Sequence, residues 1–161
     1  MQHQPLQIEP IPAFEDNYIW LLHNTRDAIV IDPGDAAPVL AALKTKKLTL
    51  SAILITHHHA DHIGGVASLL ESYSVPVYAP SYEQFPFNHI AVTEGEIIDL
   101  TQFGLKFQVM WLPGHTLGHI AFVNEAYLFC GDVLFSAGCG RLFEGTPAQM
   151  LASLNRLKKL P

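Results

Sequence analysis

The sequence predicts an α/β chain (α+β in some schemes) layered helix, sheet, sheet, helix. Apolar runs of strand length stand before, between and after helical segments, which builds two sheets rather than one. The order does not alternate regularly enough for a doubly wound parallel sheet. Its 161 residues suffice for one domain with a substantial core, and no repeat, low-complexity tract or linker divides it.

In chain order, Gln7 to Ile11, Tyr18 to Leu22 and Ala28 to Ile31 read as three strands, with a polar turn at Asn24 to Asp27. Asp32-Pro33-Gly34-Asp35 is a turn, and Asp35 is a fitting N-cap for a helix from Ala36 to about Lys47. Lys44, Lys46 and Lys47 crowd its last turn, where positive charge suits the helix dipole. A buried strand from Ala52 to Ile55 leads into a histidine-rich loop, and a helix runs from about Gly65 to Tyr73. Val75 to Tyr78 is a short strand, followed by an irregular stretch from Ala79 to Val92. Glu96 to Leu100 pairs with Leu105 to Leu112, and Ile120 to Val123 with Tyr127 to Phe129. Thr146 caps a last helix that Pro147 begins, Ala148 to Leu160.

Composition narrows the function classes. Hydrophobic residues make up 49% and charged residues 15%, yet no apolar run reaches membrane-span length, so no membrane role is expected. A net charge of −6 argues against a nucleic-acid partner, which needs a basic face. MQHQPLQIEP has neither the basic nor the apolar region of a secretory signal, and Cys130 and Cys139 form no disulfide framework. A reducing cytoplasm is the expected location. The apolar bias suggests surface awaiting cover.

The chemistry concentrates in Ile53 to Gly65, ILITHHHADHIGG, which holds four of the nine histidines within six positions. Imidazoles and a carboxylate after a strand suit a divalent metal such as zinc, iron or manganese. A tag fragment or solvated polar loop is disfavoured by the internal position and the framing strand and glycines. Two other places match in kind: Gly114-His115 after the strand ending at Trp111, and Gly131-Asp132 after the strand ending at Phe129. Singly each reads as a turn; beside a waiting cluster each reads as a donor.

Thr56-His57-x-His59-x-Asp61-His62, then Gly114-His115, then Asp132 resembles the metallo-β-lactamase superfamily. The resemblance narrows to the hydroxyacylglutathione hydrolases, or glyoxalase II. It rests on Asp16-Asn17-Tyr18-Ile19-Trp20, Asp32-Pro33-Gly34-Asp35, Pro113 to Ile120, Phe129 to Asp132 and Phe135 to Thr146. It implies an αββα sandwich and two adjacent divalent metals, zinc foremost and iron or manganese as alternatives. Metal one would take His57, His59, His115 and Asp132; metal two would take Asp61, His62, Asp132 and one further histidine. Asp61 would also be catalytic, orienting a metal-bound hydroxide that attacks S-D-lactoylglutathione to give D-lactate and glutathione. His58 and His119 fall outside the ligand set. Arg141 would lie by the glutathione moiety, although an ordinary surface arginine is as good a reading, and Phe143 stands where some relatives carry a substrate-touching tyrosine.

The family's chain runs on past Pro161, through the missing metal-two histidine and a helical glutathione-binding domain. The resemblance therefore implies a metal-binding domain over 1–161, incomplete at the C-terminus, with a weakened second site and surface free for self-association. Two alternatives stand beside the hydrolase. One is a mononuclear-iron persulfide dioxygenase, which shares the Gly-Cys-Gly-Arg turn at 138–141. The other is an inactive metal-binding, self-associating fragment.

Overall fold

The computed structural model describes residues 6–161. Among the described residues ten strands form two sheets. In the first, β1 (Gln7–Ala13), β2 (Asn17–His23) and β3 (Asp27–Ile31) run antiparallel, and β4 (Thr49–Leu54), β5 (Val77–Pro80) and β6 (Ile90–Val92) continue it in parallel, in sequence order. The second is antiparallel in the order β10 (Leu128–Phe129), β9 (Ile120–Val123), β8 (Leu105–Trp111), β7 (Ile97–Leu100).

Three apolar layers follow from the strands' alternation. Ile19 and Leu21 of β2, Ala28 and Val30 of β3, and Leu50 and Ile53 of β4 face α1 (Ala36–Lys46) and α3 (Val66–Ser72), through Val39, Leu43, Val66 and Leu69. The intervening Leu22, Ile29, Ile31, Ala52 and Leu54 face the other way, onto Phe107, Val109, Ile120 and Phe122 of the second sheet. On that sheet's far side Met110, Ala121 and Val123 receive Met150 and Leu157 of α4 (Pro147–Leu157). The expected order of helix, sheet, sheet, helix is observed.

Helix ends behave as their chemistry requires. The Asp35 side chain accepts from the Ala37 N–H, and Thr146 and Gln149 form a reciprocal capping box at α4. The structure departs from the sequence reading in four places. Ala60–Ile63 is a short helix, α2, so Asp61 and His62 are helical rather than on a loop. β4 begins at Thr49, because Asp27 to Ile31 recruit its polar start as a ladder partner. Ile90–Val92, read as irregular, is an edge strand held by pairing with Tyr78–Pro80. The last helix ends at Leu157, before its two terminal lysines tighten into a turn. No helix among the described residues is long and apolar enough to cross a membrane.

Candidate metal centre

The donors meet on one rim of the sandwich, beyond the ends of β3, β4, β8 and β10, where strand ends release side chains from the ladder. His57 Nε2 lies 3.2 Å and His115 Nε2 2.9 Å from His59 Nδ1. Beside them Asp132 places Oδ1 3.1 Å from His62 Nε2 and Oδ2 3.3 Å from His115 Nε2. Asp61 Oδ2 is 3.5 Å from His62 Nε2 and accepts from Asn17 Nδ2 at 2.9 Å. Six of the predicted side chains are therefore gathered into two groups that share Asp132.

The outer ring nitrogens are engaged, which sets the inner ones free. His115 Nδ1 donates to the Arg141 carbonyl at 2.6 Å. His62 Nδ1 donates to Asp32 Oδ2 at 2.9 Å, and the same oxygen accepts from Thr56 Oγ1 at 2.6 Å. Having given its proton to Asp32, Thr56 Oγ1 accepts from His57 Nδ1 at 3.0 Å. Three Nε2 atoms thus point inward, the arrangement that outer partners impose on metal-binding histidines.

Asp32 is the hub of this support, and its other oxygen takes the Thr56 N–H at 2.8 Å. Sequence reading had placed it only in a turn. The signal was present, since Asp32 directly follows an apolar strand, as Asp132 follows one at a distance of three residues. Its backbone is left-handed, with φ +52, a conformation aspartate tolerates better than most residues. Gly34, two positions on, packs so closely on the Asp61 carbonyl that a Cβ there would overlap it.

Electrostatics favour neutral donors in the three-histidine group. Burial first, then His119 and the other surrounding imidazoles, push His57 well below its ordinary value; burial and His115 lower His59. At His62 burial opposes charge, but Asp32 and Asp132 override it and push the ring up to about 10. A cation would displace that proton. Buried His62 Nε2 makes no aligned hydrogen bond to the protein, and the three-histidine atoms crowd lone pairs that hydrogen bonding alone leaves in conflict. The donor set fits divalent metal ions, and one nitrogen each from His57, His59 and His115 form a group of the right compactness.

The remaining histidines serve other contacts. His58 turns away, with Nε2 3.0 Å from Glu144 Oε1 and Nδ1 3.6 Å from Glu83 Oε2. Glu83, which the sequence reading missed, also accepts from Thr116 Oγ1. His119 is fully buried, stacked on His57 and hydrogen-bonded to the Asp132 N–H. His23 joins Glu9 and His89 the Phe87 carbonyl, so neither completes the second group; His3 lies outside the described residues. Exposed Phe143 sets its ring edge-on to His59 and His115, with the Arg141 guanidinium 5.6 Å above it. Neither lines the cavity of about 1020 Å³ beside the centre. Tyr18, Trp20, Leu134 and Phe135 border that cavity, which opens onto Asp61, His62 and Asp132.

An αββα sandwich with histidines and aspartates convergent on one rim defines a class of metal-binding proteins. Residues 13–161 match the sequence profile described as the metallo-beta-lactamase superfamily, and the chain belongs to that superfamily. It is 56% identical over 155 residues to the hydroxyacylglutathione hydrolase of Methylobacillus flagellatus, covering 96% of this chain and 62% of that protein. With the hydroxyacylglutathione hydrolase of Vibrio cholerae serotype O1 it shares 58% over 158 residues, again 62% of the relative's length. The chain therefore spans less than two thirds of these curated relatives. Among solved structures it resembles the BLEG-1 B3 metallo-beta-lactamase (TM-score 0.86, 31% identity, 96% of this chain and 87% of that one). It also resembles ETHE1 from Myxococcus xanthus (TM-score 0.83, 31% identity, 98% and 72%).

Proposed function

We propose that residues 1–161 are the metal-binding domain of a glyoxalase II-type thioester hydrolase, acting on S-D-lactoylglutathione-like substrates. The observation that carries this reading is a pair of donor groups sharing Asp132 in a chain 50–58% identical to proteins named hydroxyacylglutathione hydrolase. His57, His59, His115 and Asp132 would hold one divalent cation, and Asp61, His62 and Asp132 a second. Zinc suits the donors best, with iron or manganese as alternatives. Bound cations supply an acidified water and an electrophile for the thioester carbonyl.

The protein's own part is orientation. Asn17 fixes Asp61 Oδ2, leaving the other oxygen of a half-exposed carboxylate to accept a hydrogen bond from the attacking water and aim it. Phe143 offers an apolar edge to the acyl or cysteinyl part, and Arg141 a guanidinium to a glutathione carboxylate. Water adds to the carbonyl carbon, the carbon–sulfur bond breaks, and hydroxy acid and thiol leave. No cysteine nucleophile enters: burial pushes the Cys130 thiol up, and its Sγ points to the Leu134 carbonyl. A glutathione thioester substrate would suit a role in methylglyoxal detoxification in the cytoplasm. Exposed Tyr18, Leu134 and Phe135 at the cavity mouth give self-association a surface.

The test is hydrolysis of S-D-lactoylglutathione by zinc-loaded protein; a rate no higher than that of His59→Ala overturns the reading. A second reading, a mononuclear-iron persulfide dioxygenase, draws on the compactness of the three-histidine group. One iron per chain, with oxygen uptake on glutathione persulfide, would select it.

A further inference from the structure

His119 has no part in the chemistry above, yet its ring touches both donor groups. One face lies on His57, with ring centroids 4.5 Å apart and planes 22° from parallel. Its Nε2 accepts the Asp132 N–H at 3.1 Å, which places the ring proton on Nδ1. The backbone is shaped for that contact. Gly131 has φ +47, and a Cβ on it would stand 2.8 Å from His119 Nε2 and 2.5 Å from Thr56 Oγ1. A side chain here would wedge the peptide off the ring, and the left-handed conformation itself favours glycine.

The Asp132 carbonyl is held as well, by the Gly140 N–H at 3.1 Å. Its carboxylate, by contrast, faces only imidazoles: Oδ1 toward His62 and Oδ2 toward His115. The aim of the shared carboxylate is therefore set by the peptide it hangs from, gripped at both ends. We infer that His119 is a positioning residue for Asp132, its Nε2 fixing the peptide so that one carboxylate serves both donor groups. This rests on the two-cation reading.

Two substitutions separate acceptor from packing. His119→Phe keeps a flat ring against His57 and removes the acceptor; His119→Gln removes the ring and carries an amide oxygen to about the same reach. Zinc affinity is read by chelator competition, and exchange of the Asp132 amide proton by NMR in metal-free protein. His119→Phe is expected to weaken zinc binding about 10- to 100-fold, as loss of an outer partner does, and His119→Gln to stay within about threefold of the parent. Exchange at the Asp132 amide should accelerate in the Phe variant and remain slow in the Gln variant. Should His119→Phe fail to fold, His119→Leu against His119→Gln makes the same contrast, since neither has the ring and one has the acceptor. Unchanged affinity and unchanged exchange in the acceptor-free variant overturn the inference. A parent chain that binds no zinc overturns the two-cation reading instead, and the amide measurement then decides on His119 alone.

Discussion

The two donor groups grow from one short segment but are held differently. The His57 and His115 rings are buried, with their outer nitrogens tied to Thr56 and to the Arg141 carbonyl. In the second group Asp61 is 47% exposed, steadied by Asn17, and borders the large cavity. One side is closed and braced, the other open to solvent. On the proposed function the first would keep a cation and the second present a reacting centre, and loss of a donor should cost each side differently.

The largest effect should come from the closed side. His115→Ala removes one of three convergent nitrogens and a neighbour of Asp132, and should lower kcat/KM for lactoylglutathione by about 1000-fold or more. Metal analysis of the same protein should show less than the parent's content. Asp61→Asn should cost activity while leaving metal in the three-histidine group. Equal metal loss in both variants would break the comparison.

Asp32→Ala strikes both groups at once. It strands the Thr56 N–H and hydroxyl and the His62 Nδ1 proton in a buried site, and should cost about 3 kcal/mol in urea denaturation. If the loss is no greater than for an average surface substitution, Asp32 is not the hub described.

That hub also shows where sequence reading ends. The layers were legible because apolar runs of strand length stand before, between and after helical segments; which residue faces which layer came only with the structure. Six donors were legible because each follows an apolar strand with histidine or aspartate where a core would reject it. The support was not. Asn17, Asp32 and Glu83 lie 44, 24 and 33 residues from Asp61, Thr56 and Thr116, the partners they steady, and only folding brings them there. The edge strand β6 was likewise invisible, since three residues define it only by pairing with β5.

Glycine contacts sharpen the contrast between the groups. A Cβ on Gly34 would overlap the Asp61 carbonyl, and one on Gly140 would overlap the Asp132 carbonyl and stand 2.8 Å from His115 Nδ1. Each alanine variant should cost about 1–3 kcal/mol, as overpacking does. Their metal phenotypes should differ: Gly140→Ala disturbs the shared carboxylate and the closed side, Gly34→Ala the open side alone. Thermal melts with and without zinc check both, and the zinc-induced rise in Tm should shrink more for Gly140→Ala.

The smallest effect lies beneath the closed side, where α4 supports the His115 turn. Ser153 Oγ donates to the Pro113 carbonyl, and Met150 packs under Gly114. Arg156 anchors that helix by donating to both Glu94 oxygens and to the Trp111 carbonyl. Burial works against charge on Glu94, but Arg156 and the Trp111 N–H prevail and lower its carboxyl from the ordinary 4.5. A carboxyl lowered by folding stabilises the fold above its unfolded value and loses that contribution as pH falls through the folded one. Both partners are about two-fifths exposed, so screening limits Glu94→Gln to at most about 1 kcal/mol. The Tm deficit of this variant should be present at neutral pH, narrow as the solution is acidified below 4.5, and narrow again in about 1 M salt. Zinc affinity should be unchanged, because Ser153 and Met150 still seat the helix; a variant that lost metal along with this ion pair would make the anchor part of the site rather than its foundation.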